Sequence, residues 1–503
     1  MFKNVVFTWF DVYRHVLDTY ERERYQIALF GTGNMSLCMR GGSSCMGGGS
    51  LTLMVTEDGD MSVSGYNDNY QLGLGHHRYV VRPTLLHKDA FGGNDVVMAA
   101  AGVCHSACVT SSGTLWMWGM YPRPQSKYSV QAIPTREFSQ SPVLMVACGS
   151  LFTMILTRAR QVWTRGHGHF GQLGHNDRES RDQFTQIAPE LFGDGAIVSM
   201  IAVGYEHSMA LTETGGNDTL WTWGSFMNGE LGHGNADRQP LVPSAIPAGT
   251  FDGVPVVSMH GGSNFTMVVT EDGSLWGCGC DSNGALGLHG TVSPHSYFTL
   301  VDDRDPNVYT LQKVVGPEFA DGHGVLTAAC GKTSSMVLAK NNTVWVCGQG
   351  TNICGTGTAP AYTRSLTLVD PVLFDNKKIL VVSTGFHSFG AVCEDGSVCL
   401  WDRNVGGISV GIQHARTGRW HDLQPEHALA FMMRTNARLG AEAFGTNDDL
   451  CQDNYELIFD LMRFELHADT PYALHTIMGR RPVRRAVALD IDAPVLLDDE
   501  DEE

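Results

Sequence analysis

Four groups of residues in this chain have types and spacings that suit chemistry. Cys278-Gly279-Cys280 sets two thiols at a spacing seen in metal sites. No second cysteine pair or histidine pair follows at zinc spacing, so a structural metal is not expected. His105, His207 and His387 recur at one position of a repeat, where imidazoles could ligate a metal or carry protons. The other copies place Leu51, Phe152, Phe265 and Ser334 there. A site that exchanges His for Phe or Leu is a packing site, with the imidazole expected to bond a backbone group. Eight tryptophans, Trp116, Trp118, Trp163, Trp221, Trp223, Trp276, Trp345 and Trp401, sit on a recurring aromatic strand. Stacked indoles could absorb light or hold a sugar, but filling the wedge between twisted sheets explains them more simply. Arg480, Arg481, Arg484 and Arg485 suit phosphate binding or a nuclear-localisation signal, and equally a solvated patch paired with the acidic run Asp498–Glu503. No nucleophile–base pair, phosphate-cradling loop or carboxylate pair stands out, so the chain reads as a non-enzyme without a cofactor.

The elements that carry these residues repeat. The clearest copy runs Ala202-Val203-Gly204-Tyr205-Glu206-His207-Ser208-Met209-Ala210-Leu211-Thr212, then Leu220-Trp221-Thr222-Trp223-Gly224, then Gly229-Glu230-Leu231-Gly232. The position that closes the aromatic strand is filled by Gly65, Gly119, Gly166, Gly224, Gly279, Gly348 and Asp402. β-branched and aromatic runs bounded by Gly, Asp and Asn are strand and hairpin signals, and no ordinary amphipathic helix interrupts them between Gly42 and Gly411. Units of about fifty residues predict a radial array of four-stranded sheets closed into a ring, which removes both long edges. The expected fold is all-β: a seven-bladed β-propeller with a small C-terminal α-helical appendage.

Bulk composition narrows the partners. The 503 residues carry 34 Lys+Arg against 53 Asp+Glu, a formal charge of −19. Phosphate neutralisation drives most nucleic-acid affinity, so direct nucleic-acid binding is disfavoured. No run is long enough for a membrane helix and the N-terminus does not read as a signal peptide. Thirteen cysteines, mostly within predicted strands, suit reduced thiols packed as small hydrophobes. An intracellular monomer, cytoplasmic or nuclear, is expected.

The series Ala-Cys/Val-Gly, His/Phe-Ser/Thr, Leu/Val-Trp-x-x-Gly and Gly-x-Leu-Gly resembles the repeat of the regulator of chromosome condensation family. Gly166-His167-Gly168-His169-Phe170-Gly171-Gln172-Leu173-Gly174 carries its Gly-Gln-Leu-Gly signature. Asn69-Tyr70-Gln71-Leu72-Gly73 and Asn283-Gly284-Ala285-Leu286-Gly287 are close variants. The resemblance covers residues 43–411 and implies the propeller, but not one activity. In the family's exchange factors a projecting hairpin and one propeller face insert into a Ran-type GTPase. Its ultraviolet-B photoreceptor branch carries Gly-Trp-Arg-His-Thr, which this chain lacks. The degenerate later copies, joined to Leu429-Ala430-Phe431, are also similar to repeat proteins of large DNA viruses of amoebae.

Function is sought where the copies differ. Copy 2 replaces Gly-x-Leu-Gly by Met120-Tyr121-Pro122-Arg123-Pro124. An insertion of about fifteen residues between Gly290 and Gly324 includes Val301-Asp302-Asp303-Arg304-Asp305-Pro306-Asn307-Val308-Tyr309. It reads as a surface loop or, through the resemblance, as a GTPase wedge. The candidate partner-binding residues are therefore Tyr121, Arg123, Asp302, Asp303, Arg304, Asp305 and Tyr309. Residues 1–42 are expected to hold a closing strand at Val5–Trp9, which competes with Ser397–Trp401 for one sheet position. Residues 43–411 form the propeller. Residues 412–490 form the helical appendage, with helices from Pro425 and from about Asn447. Residues 491–503 form an acidic disordered tail. The reading is a scaffold that presents blade loops to a protein partner, with guanine-nucleotide exchange on a Ran-like GTPase as the alternative and chromatin binding behind both.

Overall fold

The computed structural model describes residues 36–41, 50–55, 59–120, 130–214, 217–234, 239–288, 306–314, 324–349, 362–374, 376–385, 388–394, 397–402, 411–414 and 419–422. Six four-stranded antiparallel blades follow one another in the chain. Blade 1 is Ser36–Gly41, Ser50–Val55, Met61–Gly65 and Val80–Leu86; blade 2 is Val96–Ala101, His105–Thr110, Leu115–Gly119 and Gln131–Ile133. Blade 3 is Val143–Cys148, Phe152–Thr157, Val162–Gly166 and Arg181–Gln186; blade 4 is Ile197–Val203, His207–Thr214, Asn217–Gly224 and Ser244–Ala245. Blade 5 is Val256–Gly261, Phe265–Thr270, Leu275–Cys280 and Asn307–Lys313; blade 6 is Val325–Cys330, Ser334–Ala339, Val344–Gln349 and Tyr362–Leu368. First strands of successive blades lie side by side, and Ser36–Gly41 lies beside Ile379–Thr384 of a terminal sheet, so the ring closes.

That terminal sheet corrects the expected architecture. The all-β propeller stands, but the seven equivalent blades with a helical appendage do not. The four-stranded blades number six. The last repeat instead forms a five-stranded sheet of Ile379–Thr384, Ser388–Cys393, Ser397–Asp402, Gly411–His414 and Arg419–Asp422. No α-helix occurs among the described residues. Apolar–polar alternation around Ile412 and Trp420 carries the chain onward as a hairpin where the appendage was expected to begin. The expected helices from Pro425 and Asn447 lie outside the described residues. Ser397–Asp402 holds the third position of this sheet. The competing segment Val5–Trp9 lies outside the described residues. The first strand of blade 1 falls within the segment expected to precede the propeller.

The repeated glycine has a direct cause. Gly65, Gly119, Gly166, Gly224, Gly279 and Gly348 all have φ between +94° and +119°. A Cβ on Gly279 would fall 2.4 Å from the Asn264 carbonyl oxygen. An L side chain is excluded there twice, by φ and by space. Asp402 stands where the other six have glycine, in the one sheet that departs from the four-stranded form.

Packing between blades uses aromatic residues from two sources. Short 3-10 turns connect one blade to the next at Lys88–Phe91, Thr135–Phe138, Pro189–Phe192 and Pro371–Phe374, each ending in a buried phenylalanine. Phe91, Phe138 and Phe192 meet Trp116, Trp163 and Trp221 edge-on at 5.9–6.0 Å between ring centres. Trp118 and Trp223 are completely buried. Trp276 is buried too, and the half-buried Trp116, Trp163 and Trp221 pack on connector phenylalanines, which fits the wedge-filling role their recurrence implies.

Candidate functional site

In an antiparallel blade, the turn from strand one to two and the connection from strand three to four emerge at the same end. Here the two are tied together: the amides of Met120, His167, Ser225, Cys280 and Gln349 donate to the carbonyls of Cys104, Leu151, Glu206, Asn264 and Thr333. Tyr121 and Arg123 belong to the three-to-four connection of blade 2, and Asp302–Asp305 to that of blade 5. Both segments leave and rejoin the ring at this end, although these six residues lie outside the described ones. Tyr309 is described and sits differently from the expected loop. It is in the fourth strand of blade 5, where its carbonyl accepts the Gly234 amide of blade 4 at 2.7 Å.

The end is first of all a set of inter-blade joints. The main-chain carbonyl at position x of three Gly-x-Leu-Gly turns, and of the variant Tyr70-Gln71-Leu72-Gly73, accepts two donors from the next blade. Gln71 O takes Ser106 Oγ at 2.7 Å and Trp118 Nε1 at 2.7 Å. Gln172 O takes Ser208 Oγ at 2.8 Å and Trp223 Nε1 at 3.0 Å. Glu230 O takes Thr266 Oγ1 at 2.8 Å and Cys278 Sγ at 3.6 Å. Ala285 O takes Ser335 Oγ at 2.7 Å and Cys347 Sγ at 3.2 Å. These cysteines are thus small buried donors. Burial pushes the Cys108 thiol well up, and burial followed by the Glu230 charge pushes Cys278 up, which removes both as thiolate nucleophiles. Among the described residues, no three His, Cys, Asp or Glu side chains gather as a metal site.

The recurring histidines belong to the same joints, with a side-chain partner where a backbone group was expected. His105 Nε2 lies 2.9 Å from Thr153 Oγ1, and His207 Nε2 lies 2.9 Å from Thr266 Oγ1, each on the following blade. Thr266 has one proton and donates it to Glu230 O, so it accepts from His207 Nε2–H. His387 lies outside the described residues. A second pair follows the same rule within blades. Thr164 and Thr222 donate to Leu173 O and Leu231 O, each at 2.8 Å. They therefore accept from His175 Nε2–H and His233 Nε2–H at 2.9 and 2.8 Å. Burial, then the Arg181 charge, holds His175 down to about 4, so it is a neutral structural group at neutral pH.

Among the described residues, backbone hydrogen bonds link the inner turns of neighbouring blades at this end. The Val103, Ser150 and Tyr205 amides donate to Ser150 O, Tyr205 O and Gly262 O, each in the next blade, at 3.1, 2.8 and 3.0 Å; Lys332 donates to Gly385 O at 3.2 Å. Inside this belt Tyr205, Gly262, Gly331 and Gly385 leave about 10 Å³, room for one water at most. A larger cleft of about 220 Å³ opens off the axis between blades 4 and 5, lined by Phe226, Met227, Leu231, His233, Pro240 and Tyr309. Met227 is 71% exposed, the most of any large apolar side chain described. Tyr79, Met120 and Phe170 are also exposed, and with Met227 they occupy the three-to-four connections of four successive blades. The sequence reading quotes Met120 in the copy 2 departure but misses Tyr79, Phe170 and Met227 as candidates, which lie close to intact signatures. The opposite end exposes Leu85, Ile197, Leu368 and Val372, spread over non-adjacent blades and connectors.

The sequence profile of the RCC1-like domain matches residues 32–389. The chain belongs to the RCC1-like domain family. Among RCC1-like relatives, the Arabidopsis thaliana ultraviolet-B receptor UVR8 is 34% identical over 251 residues, 49% of this chain and 54% of that protein. The Xenopus laevis protein RCC2 homolog is 26% identical over 368 residues, 66% of each chain. This chain spans about half to two thirds of the length of such RCC1-like relatives. Yeast RCC1 (Prp20), solved with Kap60, superposes with a TM-score of 0.58 at 21% identity, over 71% of this chain and 80% of that one. Human WBSCR16 gives 0.57 at 20% identity, over 72% and 91%. At such identities the solved structures establish the RCC1-like fold and leave activity to be argued from the site.

Proposed function

We propose that this RCC1-like propeller is a non-enzymatic scaffold that binds a protein partner at the end carrying the three-to-four connections. The row Tyr79, Met120, Phe170 and Met227 on successive blades, beside the cleft at Tyr309, carries this reading. Aromatic and methionine side chains are enriched in interface centres, and a large apolar side chain left in water is favourable to cover. Tyr121, Arg123, Asp302, Asp303, Arg304 and Asp305, from the three-to-four connections of blades 2 and 5, are proposed as further partner contacts. The test compares two triple variants for capture of one purified partner. Met120→Asp/Phe170→Asp/Met227→Asp abolishes capture, while Leu85→Asp/Ile197→Asp/Val372→Asp at the opposite end retains it. Equal loss in both refutes the assignment of the face.

The second reading is guanine-nucleotide exchange on a Ran-like small GTPase. One similar structure, that of Saccharomyces cerevisiae Prp20p, was described together with its binding to Gsp1p and histones. An exchange factor works by binding the nucleotide-free state better than the loaded one. Release of labelled GDP from a panel of Ran-like GTPases, with catalytic amounts of this chain, decides it. Stimulation establishes exchange; its survival after deletion of residues 301–309 removes the wedge role. No stimulation leaves the scaffold. Nucleosome binding that persists at about 150 mM salt would instead favour a chromatin role, because non-specific contacts fade there.

A further inference from the structure

We propose that His167 and His169 form a two-imidazole chelate for a late first-row divalent cation such as Zn²⁺ or Ni²⁺. The pair opens the three-to-four connection of blade 3, and its ring centres lie 5.4 Å apart with the planes at 60°. Imidazole nitrogens bind such ions at about 2.0–2.1 Å, which puts each ring centre about 3.2 Å from the metal; at a tetrahedral angle the two centres are then about 5.2 Å apart. The observed spacing of the ring centres matches that distance to within a few tenths of an ångström.

The backbone between the two histidines is fixed. A Cβ on Gly168 would fall 2.1 Å from the Glu179 carbonyl oxygen, and the Gly168 amide donates to Ser180 Oγ at 3.3 Å. The chelate is therefore presented by a pinned turn, with His169 exposed and His167 half-buried. Several other histidines are already engaged. His105, His175, His207 and His233 bond threonine hydroxyls through Nε2, and His260 bonds Ser258. Neither imidazole of the pair makes a hydrogen bond among the described residues. No third His, Cys, Asp or Glu side chain joins them there. The remaining coordination positions fall to water, or to a carboxylate or imidazole of whatever docks beside the exposed Phe170. Two ligands hold zinc far less tightly than the four of a structural site.

The experiment titrates untagged full-length protein with ZnCl₂ and NiCl₂ in a non-coordinating buffer by calorimetry. One equivalent is expected to bind at micromolar concentration. His167→Gln and His169→Gln each weaken it at least tenfold, and His76→Gln leaves it within twofold. A measurement on unaltered protein accompanies this: Zn²⁺ should protect His167 and His169 from diethyl pyrocarbonate, read by mass spectrometry. Failure to bind below about 1 mM, affinity unchanged within twofold in both variants, or absence of protection at both histidines overturns the proposal.

Discussion

Replacing Gly204 by alanine should damage the joint between blades 4 and 5 without touching any exposed group. A Cβ at this position would lie 1.9 Å from His207 Cε1 and 2.4 Å from its Nδ1. His207 is fully buried and its Nε2 is held 2.9 Å from Thr266 Oγ1. The ring cannot yield without leaving Thr266, whose own proton already serves Glu230 O. Overpacking a tight core costs about 1–3 kcal/mol, and a buried partner left unsatisfied about 1–3 more, so a loss of about 2–6 kcal/mol is expected. At about 2 cal/mol/K per residue, a ring of roughly 400 residues loses about 1.2 °C per kcal/mol, a fall of about 2–7 °C in Tm. Calorimetry on Gly204→Ala, His207→Ala and the double variant checks the cause. The clash requires strong non-additivity: once the imidazole is gone, the added methyl fits, and the double variant matches His207→Ala. Additive losses, or a Gly204→Ala Tm equal to that of the parent, would refute the reasoning.

Other consequences are open to direct measurement. Trp223→Phe keeps the ring but removes the indole donor from Gln172 O, and should cost about 1–2 kcal/mol by denaturant unfolding. Burial, then the Glu230 charge, raises the Glu206 carboxyl above its ordinary value. Its protonated form therefore favours the fold, a contribution lost as pH rises through the raised value. Glu206→Gln should be more stable than the parent at pH 7, with the difference vanishing near pH 4. Asp177 is held down to about 2, first by its hydrogen bond to Arg181. That stability is present at neutral pH and is lost as pH falls from about 4 through 2. Arg181→Ala should cost less than about 1 kcal/mol at pH 7, because the pair is partly exposed. It should cost nothing below pH 2, as carbon-detected titration of the Asp177 carboxyl would also reveal.

What could be read from sequence depended on how strictly each position is constrained. The first three strands of the repeats were legible because the closing glycine adopts positive φ in six of them and, in four, the Trp or Cys before it reaches a carbonyl of the preceding blade. Fourth strands carry neither demand. Arg181–Gln186 and Asn307–Lys313 therefore share no pattern, and Tyr309 was read as loop although Val308-Tyr309-Thr310-Leu311 is β-branched and aromatic. The acidic run before it masked that signal. His105 and His207 are buried as the packing reading expects, but their threonine partners were not legible, since Thr153 and Thr266 lie about fifty residues away. The connector phenylalanines Phe91, Phe138, Phe192 and Phe374 recur plainly enough to have been found by aligning the copies on their turns. The terminal sheet was misjudged because nothing in Asp402 itself announces that two further strands follow.

The carbonyl joints bear on how such a ring can drift in sequence. At Gln71, Gln172, Glu230 and Ala285 the acceptor belongs to the main chain, so the side chain at x can be amide, carboxylate or methyl without unlocking the neighbour. The donors vary just as freely between indole and thiol, and between serine and threonine. A copy can thus be duplicated or rewritten on its outer surface while its grip on the next blade is inherited through the backbone. The circular frame can outlast most of the residues that decorate it.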